Sequence, residues 1–358
     1  MQHNHADIGS AGRNEGGGRS VLVRSRLTGA VLIACACVVF LGSFAWGRYG
    51  ISLEQVVQIV IGKMLGQAPV WPEKVEMVLF KVRIPRIFSA MLIGAALAAA
   101  GAAYQGLFRN PMVSSDILGA STGAGFGAAL GILLSMGMLG VQASAFVFGL
   151  GAVLLTYTIG SSMGRKGGTI LALLLTGMVV SALFGSFTSL IKYVADPYSK
   201  LPAITFWMMG GLSAVTGRDL LVMLAPFLLG SIPLLLVRWR MNVLSFGEEE
   251  AEALGVDVRR LRVLVILCST LLTASAVSIG GMIGWVGLVV PHMTRLLVGP
   301  DYKVLLPVSM LLGGTFLLGV DDLARSAFPQ EIPLGILTAV IGAPCFLYLL
   351  LKGRREWL

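Results

Sequence analysis

The chain has 358 residues, a formal net charge of +9, 56% hydrophobic residues and only 13% charged ones, with a mean hydropathy of +0.85. Soluble domains carry about 25% charged residues, so this composition excludes a soluble globule. The basic balance is explained by membrane topology, and no nucleic-acid partner is needed to account for it.

Residues 1–28 are rich in Gly and Arg without apolar periodicity, and they read as a disordered cytosolic tail. His3 and His5 lie there and carry no ligand pattern. Uncharged runs then follow at 27–47, 87–108, 117–164, 167–191, 220–237, 263–294, 304–320 and 332–351. A bilayer core of ~30 Å needs about 20 apolar residues in a helix, so the fold class is all-α, a polytopic membrane protein. Two runs are too long for one crossing. Residues 117–164 break near "SMGMLGVQ" (135–142), and 263–294 break around "GGMIGWVG" (280–287). The split gives ten transmembrane helices in one domain, 29–352, followed by a short cytosolic tail at 353–358. The run 201–217 holds a proline and a Gly-Gly and reads as a short helix that does not span. Arg and Lys concentrate in the segments that an even number of crossings puts inside, so both termini are expected in the cytosol.

The runs themselves contain no Asp, Glu, Lys or Arg. Ion-coupled transporters and intramembrane enzymes keep ionisable groups at membrane depth. An ion-coupled secondary transporter of a small solute is therefore the weaker alternative, and no catalytic or metal site is expected. His292 follows Pro291 and reads as a packed side chain. Cys35, Cys37, Cys268 and Cys345 lie in apolar runs and read as packing residues. "GASTGAGFG" (119–127) spaces Gly119, Gly123 and Gly127 four apart, the pattern that lets helices approach closely. "GSSMGRKGGT" (160–169) misses the spacing of a phosphate-binding loop. No cofactor is expected in the chain, and energy for active transport must come from another subunit.

One stretch breaks the apolar pattern. "GEEEAEALGVDVRRLR" (247–262) packs four glutamates, one aspartate and three arginines between two long apolar runs. "EEEAEAL" is good helix-forming sequence and Gly255 a natural stop, which suggests two short helices in a compact cytosolic knob. An ordinary solvated loop is the alternative. In "RIPR" (83–86), Pro85 marks a helix start, with Arg83 and Arg86 either anchoring at the interface or meeting a partner. In "RNPMVSSDILG" (109–119), Ser114, Ser115 or Asp116 is placed to cap the next helix.

These segments, with "GMIGWVGLVVPHMTRLLVGPDYKVLLPVSMLLGG", "EIPLGILTAVIGAPCFLYLLLK" and "RIPRIFSAMLIGAALAAAGAAYQGLFRNPMVSSDILGASTGAG", resemble the membrane permease of ABC importers for iron–siderophores, haem and vitamin B12. The resemblance covers about residues 30–352. It implies the type II importer permease fold and a homodimer in the bacterial inner membrane. It also implies two cytosolic ATPase subunits, which bind ATP and Mg, and a periplasmic substrate-binding protein. The cytosolic loop 239–262 then looks like the coupling element. Ala251, Leu254, Gly255 and Val256 would contact the ATPase, with Glu248, Glu249, Glu250 and Glu252 at the rim. Arg83, Arg86 and Arg325 would dock the binding protein, unless Asp321 or Asp322 pins Arg325. Asn110 and Met112, and more weakly Ser161 and Ser162, would lie at the cytosolic gate. The ligand favoured by this resemblance is a ferric siderophore, with haem or a corrinoid next.

Overall fold

The computed structural model describes residues 15–47, 49–67, 70–163, 169–327 and 329–353, with side-chain environments between residues 29 and 351. Its regular elements are all helical among the described residues. Among the described residues seven helices are long and apolar enough to cross a membrane: Glu73–Leu107, α6 (Met138–Met163), α7 (Thr169–Val194), α9 (Gly217–Leu244), α11 (Val258–Gly280), α13 (Tyr302–Ser326) and Leu334–Leu351 of α14 (Leu334–Gly353). Three shorter apolar helices accompany them: Gly29–Ala45, which is the apolar part of α1 (Glu15–Ala45), α5 (Ala120–Leu133) and α12 (Val286–Val298). The ten crossings expected from sequence require all three of these to cross as well.

Both long runs break where their glycines and turn residues are. Residues 134–137 separate α5 from α6, and 281–285 separate α11 from α12. In the second break Gly281 (φ +69) and Trp285 (φ 71) both adopt left-handed backbone, which no continuing helix accepts. The first half of the run at 201–217 belongs to α8 (Lys200–Met209), 10 residues long. At 1.5 Å per residue it is about half as long as a bilayer core is thick, as the sequence suggests.

The centre of the fold is the helix Glu73–Leu107, buried over 83% of its apolar window. It comprises α3 (Glu73–Met77), a π-helical turn (Val78–Arg83) and α4 (Ile84–Leu107). Pro85 is thus not the start of the crossing, as expected, but lies within a continuous helix. Proline supplies no N–H to the preceding turn, and the widened turn before it accommodates that loss. Around α4 pack α9, α11, α12 and α13. A Cβ on Gly101 would land on the backbone carbonyl of Gly287 in α12, and one on Gly94 would land on that of Gly313 in α13. Helices in lipid gain little from apolar burial alone, so such close backbone approach is a main source of cohesion. The Gly123 and Gly127 spacing works the same way, seating α5 on Phe148 and Ser144 of α6.

Two segments differ from the sequence reading. Helix α1 begins at Glu15, so residues 15–28 are helical instead of disordered; residues 1–14, with His3 and His5, lie outside the described residues, as do 354–358. A second difference is α2 (Leu53–Met64), an amphipathic helix that buries Val56, Ile59 and Gly62. Its signal was present: Ser52 accepts from the Gln55 N–H while the Gln55 side chain accepts from the Ser52 N–H, a capping box.

Candidate functional site

The charged stretch forms a small projection at the end of α9. After Gly247 (φ +137) the chain makes α10 (Glu248–Ala253), turns at Gly255 (φ +81) and enters α11 directly. The expected second short helix is instead the first turn of α11. Asp257 caps that turn, its carboxylate accepting from the Arg260 N–H at 2.9 Å. The Val256 N–H donates to the Ala251 carbonyl at 2.9 Å and the Gly255 N–H to that of Glu252 at 2.9 Å, closing α10. A Glu248–Arg262 ion pair ties α10 back to α11.

This geometry sorts the eight residues of the expected coupling set. Ala251 is fully buried and Val256 nearly so, because they hold the knob to its own chain. They are not contacts for a partner, which corrects the expectation. Leu254 is 67% exposed and Gly255 is exposed, with open space beyond its Cα. Glu249, Glu250 and Glu252 are exposed around them, and Glu248 is half-buried in its ion pair. Phe246, just before the knob, is 73% exposed; the sequence reading passed over it, although a lone aromatic beside acidic residues was visible. The knob thus exposes two apolar side chains, Phe246 and Leu254, together with three acids. Apolar contacts with a polar rim are the ordinary anatomy of a protein interface.

The base of the knob is clamped to α13. The Asn242 side chain donates to Asp301 at 2.6 Å and accepts from the Tyr302 N–H at 2.7 Å. Hydrogen bonds from the Lys303 N–H and from Asn242 hold the Asp301 carboxyl below the usual carboxylate range.

Nearby, the 109–119 segment forms a tight turn. Arg109 has φ 49, and Asn110 accepts from the Met112 N–H at 2.9 Å. Asn110 and Met112 are both exposed. Gln105 pins the segment by donating to the carbonyls of Val113 at 3.3 Å and Leu288 at 3.1 Å. Of the three capping candidates Asp116 satisfies α5, accepting from the Ser121 N–H at 2.6 Å across Gly119. Ser161 and Ser162 are exposed at the end of α6 and donate to carbonyls of their own helix.

The three arginines expected at a docking surface are buried in this chain, and Arg325 is pinned by Asp322, the alternative stated for it. Arg83 is 3% exposed and donates to the carbonyls of Phe44 and Tyr49. Arg86 is 6% exposed and grips Asp321 at 2.9 Å, with Glu331 at 3.0 Å on its other nitrogen. Arg325 pairs with Asp322 and donates to the Ser43 carbonyl at 2.7 Å. Arg86 and Arg325 are paired with acids inside the fold, whereas Arg83 is held by backbone carbonyls alone. The helices also run past the uncharged segments and carry ionisable groups near their ends, Arg83, Arg86, Asp321, Asp322 and Arg325 among them. There Arg86 pairs with Asp321, and Asp322 rather than Asp321 holds Arg325 most closely.

The fold, a helical bundle with seven described helices long and apolar enough to cross a bilayer and a polar knob, defines a multi-pass membrane protein. Residues 32–352 match the FecCD transport family. The chain is 42% identical over 325 residues to the molybdate import system permease protein MolB of Haemophilus influenzae, covering 91% of this chain and 94% of that protein. It is 44% identical over 281 residues to the cobalamin import system permease protein BtuC of Halobacterium salinarum, covering 78% of this chain and 74% of that one. A solved inward-facing ABC transporter of metal-chelate type superposes with a TM-score of 0.81 at 40% identity, over 91% of this chain and 99% of that chain. The chain belongs to the FecCD family and is an ABC importer permease.

Proposed function

We propose that two copies of this chain form the transmembrane pathway of an importer in the bacterial inner membrane, each seated by its knob on one cytosolic ATPase subunit. The observation that carries this reading is the exposed pair Phe246 and Leu254, beside Glu249, Glu250 and Glu252, on a turn fixed by Gly255. ATP and Mg bind on the ATPase, and movement of the knobs tilts the helices so that access alternates. Asn110 and Met112 lie on the exposed turn nearest the proposed inner mouth, with Ser161 and Ser162 as secondary gate residues. Both termini face the cytosol, and all ten apolar helices cross. A periplasmic binding protein delivers the ligand, for which we favour a ferric siderophore. The metal-chelate type of the similar solved transporter supports that class. Haem, a corrinoid or molybdate is the competing cargo.

The test is uptake in proteoliposomes holding the permease and its ATPase. Uptake should continue when the proton gradient is collapsed and ATP is supplied, and stop when ATP is withheld with the gradient intact. The reverse pattern would make the chain an ion-coupled transporter. Titration of the cognate binding protein with a ferric siderophore, haem, cobalamin and molybdate identifies the cargo.

A further inference from the structure

Helices α6 and α9 stand apart, each packed on α11, and leave a groove whose floor is α11. Three cavities lie in file along it. The first, of about 530 Å³, lies among Phe146, Leu229 and Leu271. The second, of about 620 Å³, lies among Leu150, Leu154 and Leu267. The third, of about 710 Å³, is bounded by Pro233, Arg259 and Arg260 and shares Val263 and Leu267 with the second. The floor residue Leu267 is 62% exposed although its helix is otherwise mostly buried. Something apolar belongs there.

The two ends of the groove differ. At the first cavity the Gln142 side chain donates to Asp219 at 2.8 Å, a clasp that bridges α6 and α9 across the slot. At the third cavity the slot is open, and Arg259 and Arg260 stand at its mouth, immediately before the uncharged run of α11. Arg260 is paired with Asp257 at 2.9 Å but keeps its side chain 89% exposed; Arg259 is exposed as well. Arginines at that level of a membrane helix face the headgroup layer.

We propose that this groove binds an anionic phospholipid, its phosphate at Arg259 and Arg260 and an acyl chain laid along α11 over Leu267. Charge complementarity fixes the headgroup class, and the Gln142–Asp219 clasp across the other end selects the occupant. A transmembrane helix of a partner, ~10 Å across, would have to run past the Gln142–Asp219 clasp. An acyl chain enters from one end and stops. The site touches the first turn of α11, which carries the knob, so the lipid would stiffen the element that transmits movement.

The test uses the full chain in mild detergent, challenged with phosphatidylglycerol or phosphatidylcholine of equal chain length and read by native mass spectrometry. Basic residues at a membrane surface each strengthen anionic lipid binding about fivefold, so wild type should retain phosphatidylglycerol at least about tenfold better. Arg259→Gln with Arg260→Gln should remove that preference. Gly151→Phe should reduce retention of both lipids without unfolding, because Gly151 lines the second cavity and has open space beyond its Cα. Equal retention of the two lipids by wild type, or a preference that survives the double substitution, overturns the proposal. A Gly151→Phe variant that changes oligomer size while keeping its phosphatidylglycerol also overturns it, because the groove then holds a protein helix.

Discussion

Arg86 and Asp321, 235 residues apart in the chain, meet through the Arg86 Nε and Nη2 atoms, at 2.9 Å and 3.1 Å from one Asp321 oxygen or the other. Both side chains are buried, the aspartate completely. The pair therefore joins the crossing that contains α4 to α13 at the end opposite the close Gly101–Gly287 contact, and its chemistry is structural.

Breaking such a pair by removing one partner leaves an uncompensated buried charge, at a cost of about 3–5 kcal/mol. Arg86→Met alone should sharply lower the thermal unfolding midpoint in detergent. The double variant Arg86→Met, Asp321→Leu should recover most of the loss, because two apolar side chains of similar volume need no desolvation. A double variant as unstable as the single one would show that the pair is not the unit. The same burial changes what charge reversal at these arginines should do. Arg83→Glu with Arg86→Glu should abolish recovery of folded protein, whereas a slowed but intact encounter with a binding protein would restore the docking role.

Close helix approach gives a second test. Gly101→Ala puts a methyl group on the Gly287 carbonyl, with backbone on both sides and nothing flexible to yield. Overpacking of this kind costs about 1–3 kcal/mol or more. Gly151→Ala meets nothing within 4 Å and should leave the unfolding midpoint unchanged. Equal midpoints for the two variants would remove the contact from the account of cohesion.

How much of this was legible in the sequence depends on the range of the interaction. The breaks at 134–137 and 281–285, the short α8 and the Gly123–Gly127 seam follow from local composition, because a helix interrupted by turn glycines is decided within a few residues. The pairing of Arg325 with Asp322, three residues away, was legible from spacing, but the partners of Arg83 and Arg86 were not. Arg86 finds Asp321 only after α4 and α13 pack, and spacing along the chain carries no sign of that contact. The knob lies between these cases. Its turn at Gly255 and its charge were readable, but the inward side chains, Ala251 and Val256, could not be told from the outward Leu254 without the course of α10 against α11.

Acid should loosen the base of the knob. The Asp301 carboxyl is held below its ordinary range by the Lys303 N–H and Asn242. A depressed folded-state value means that its contribution is present above the unfolded value and is lost as pH falls through the folded one. Hydrogen exchange of the Tyr302 and Lys303 amides should therefore rise below about pH 4, near the unfolded value of an aspartate, after correction for intrinsic exchange. In Asp301→Asn that extra pH dependence should vanish. An unchanged profile in the variant would show that Asp301 is not the group responsible.

The knob gives the most direct test of the proposed coupling. Gly255 has φ +81 and open space beyond its Cα, so backbone conformation restricts this position and bulk does not. Left-handed backbone costs an ordinary residue roughly 1–2 kcal/mol, whereas Asn adopts it readily. Gly255→Asn should keep ligand-stimulated ATP hydrolysis by the assembled importer. Gly255→Val, and equally Gly255→Trp, should lose it while the permease remains folded, because the turn that presents Leu254 is misplaced. Leu254→Asp and Phe246→Asp probe the surface itself: both side chains are exposed, so neither change should lower the unfolding midpoint of the isolated permease. Truncation of a few central anchors commonly removes most of the energy of an interface, and a charge there should do more. The ATPase should fail to copurify with either variant. Two results would dismiss the knob as the coupling surface: copurification of the ATPase at wild-type level with Leu254→Asp and Phe246→Asp combined, or full stimulation in Gly255→Val.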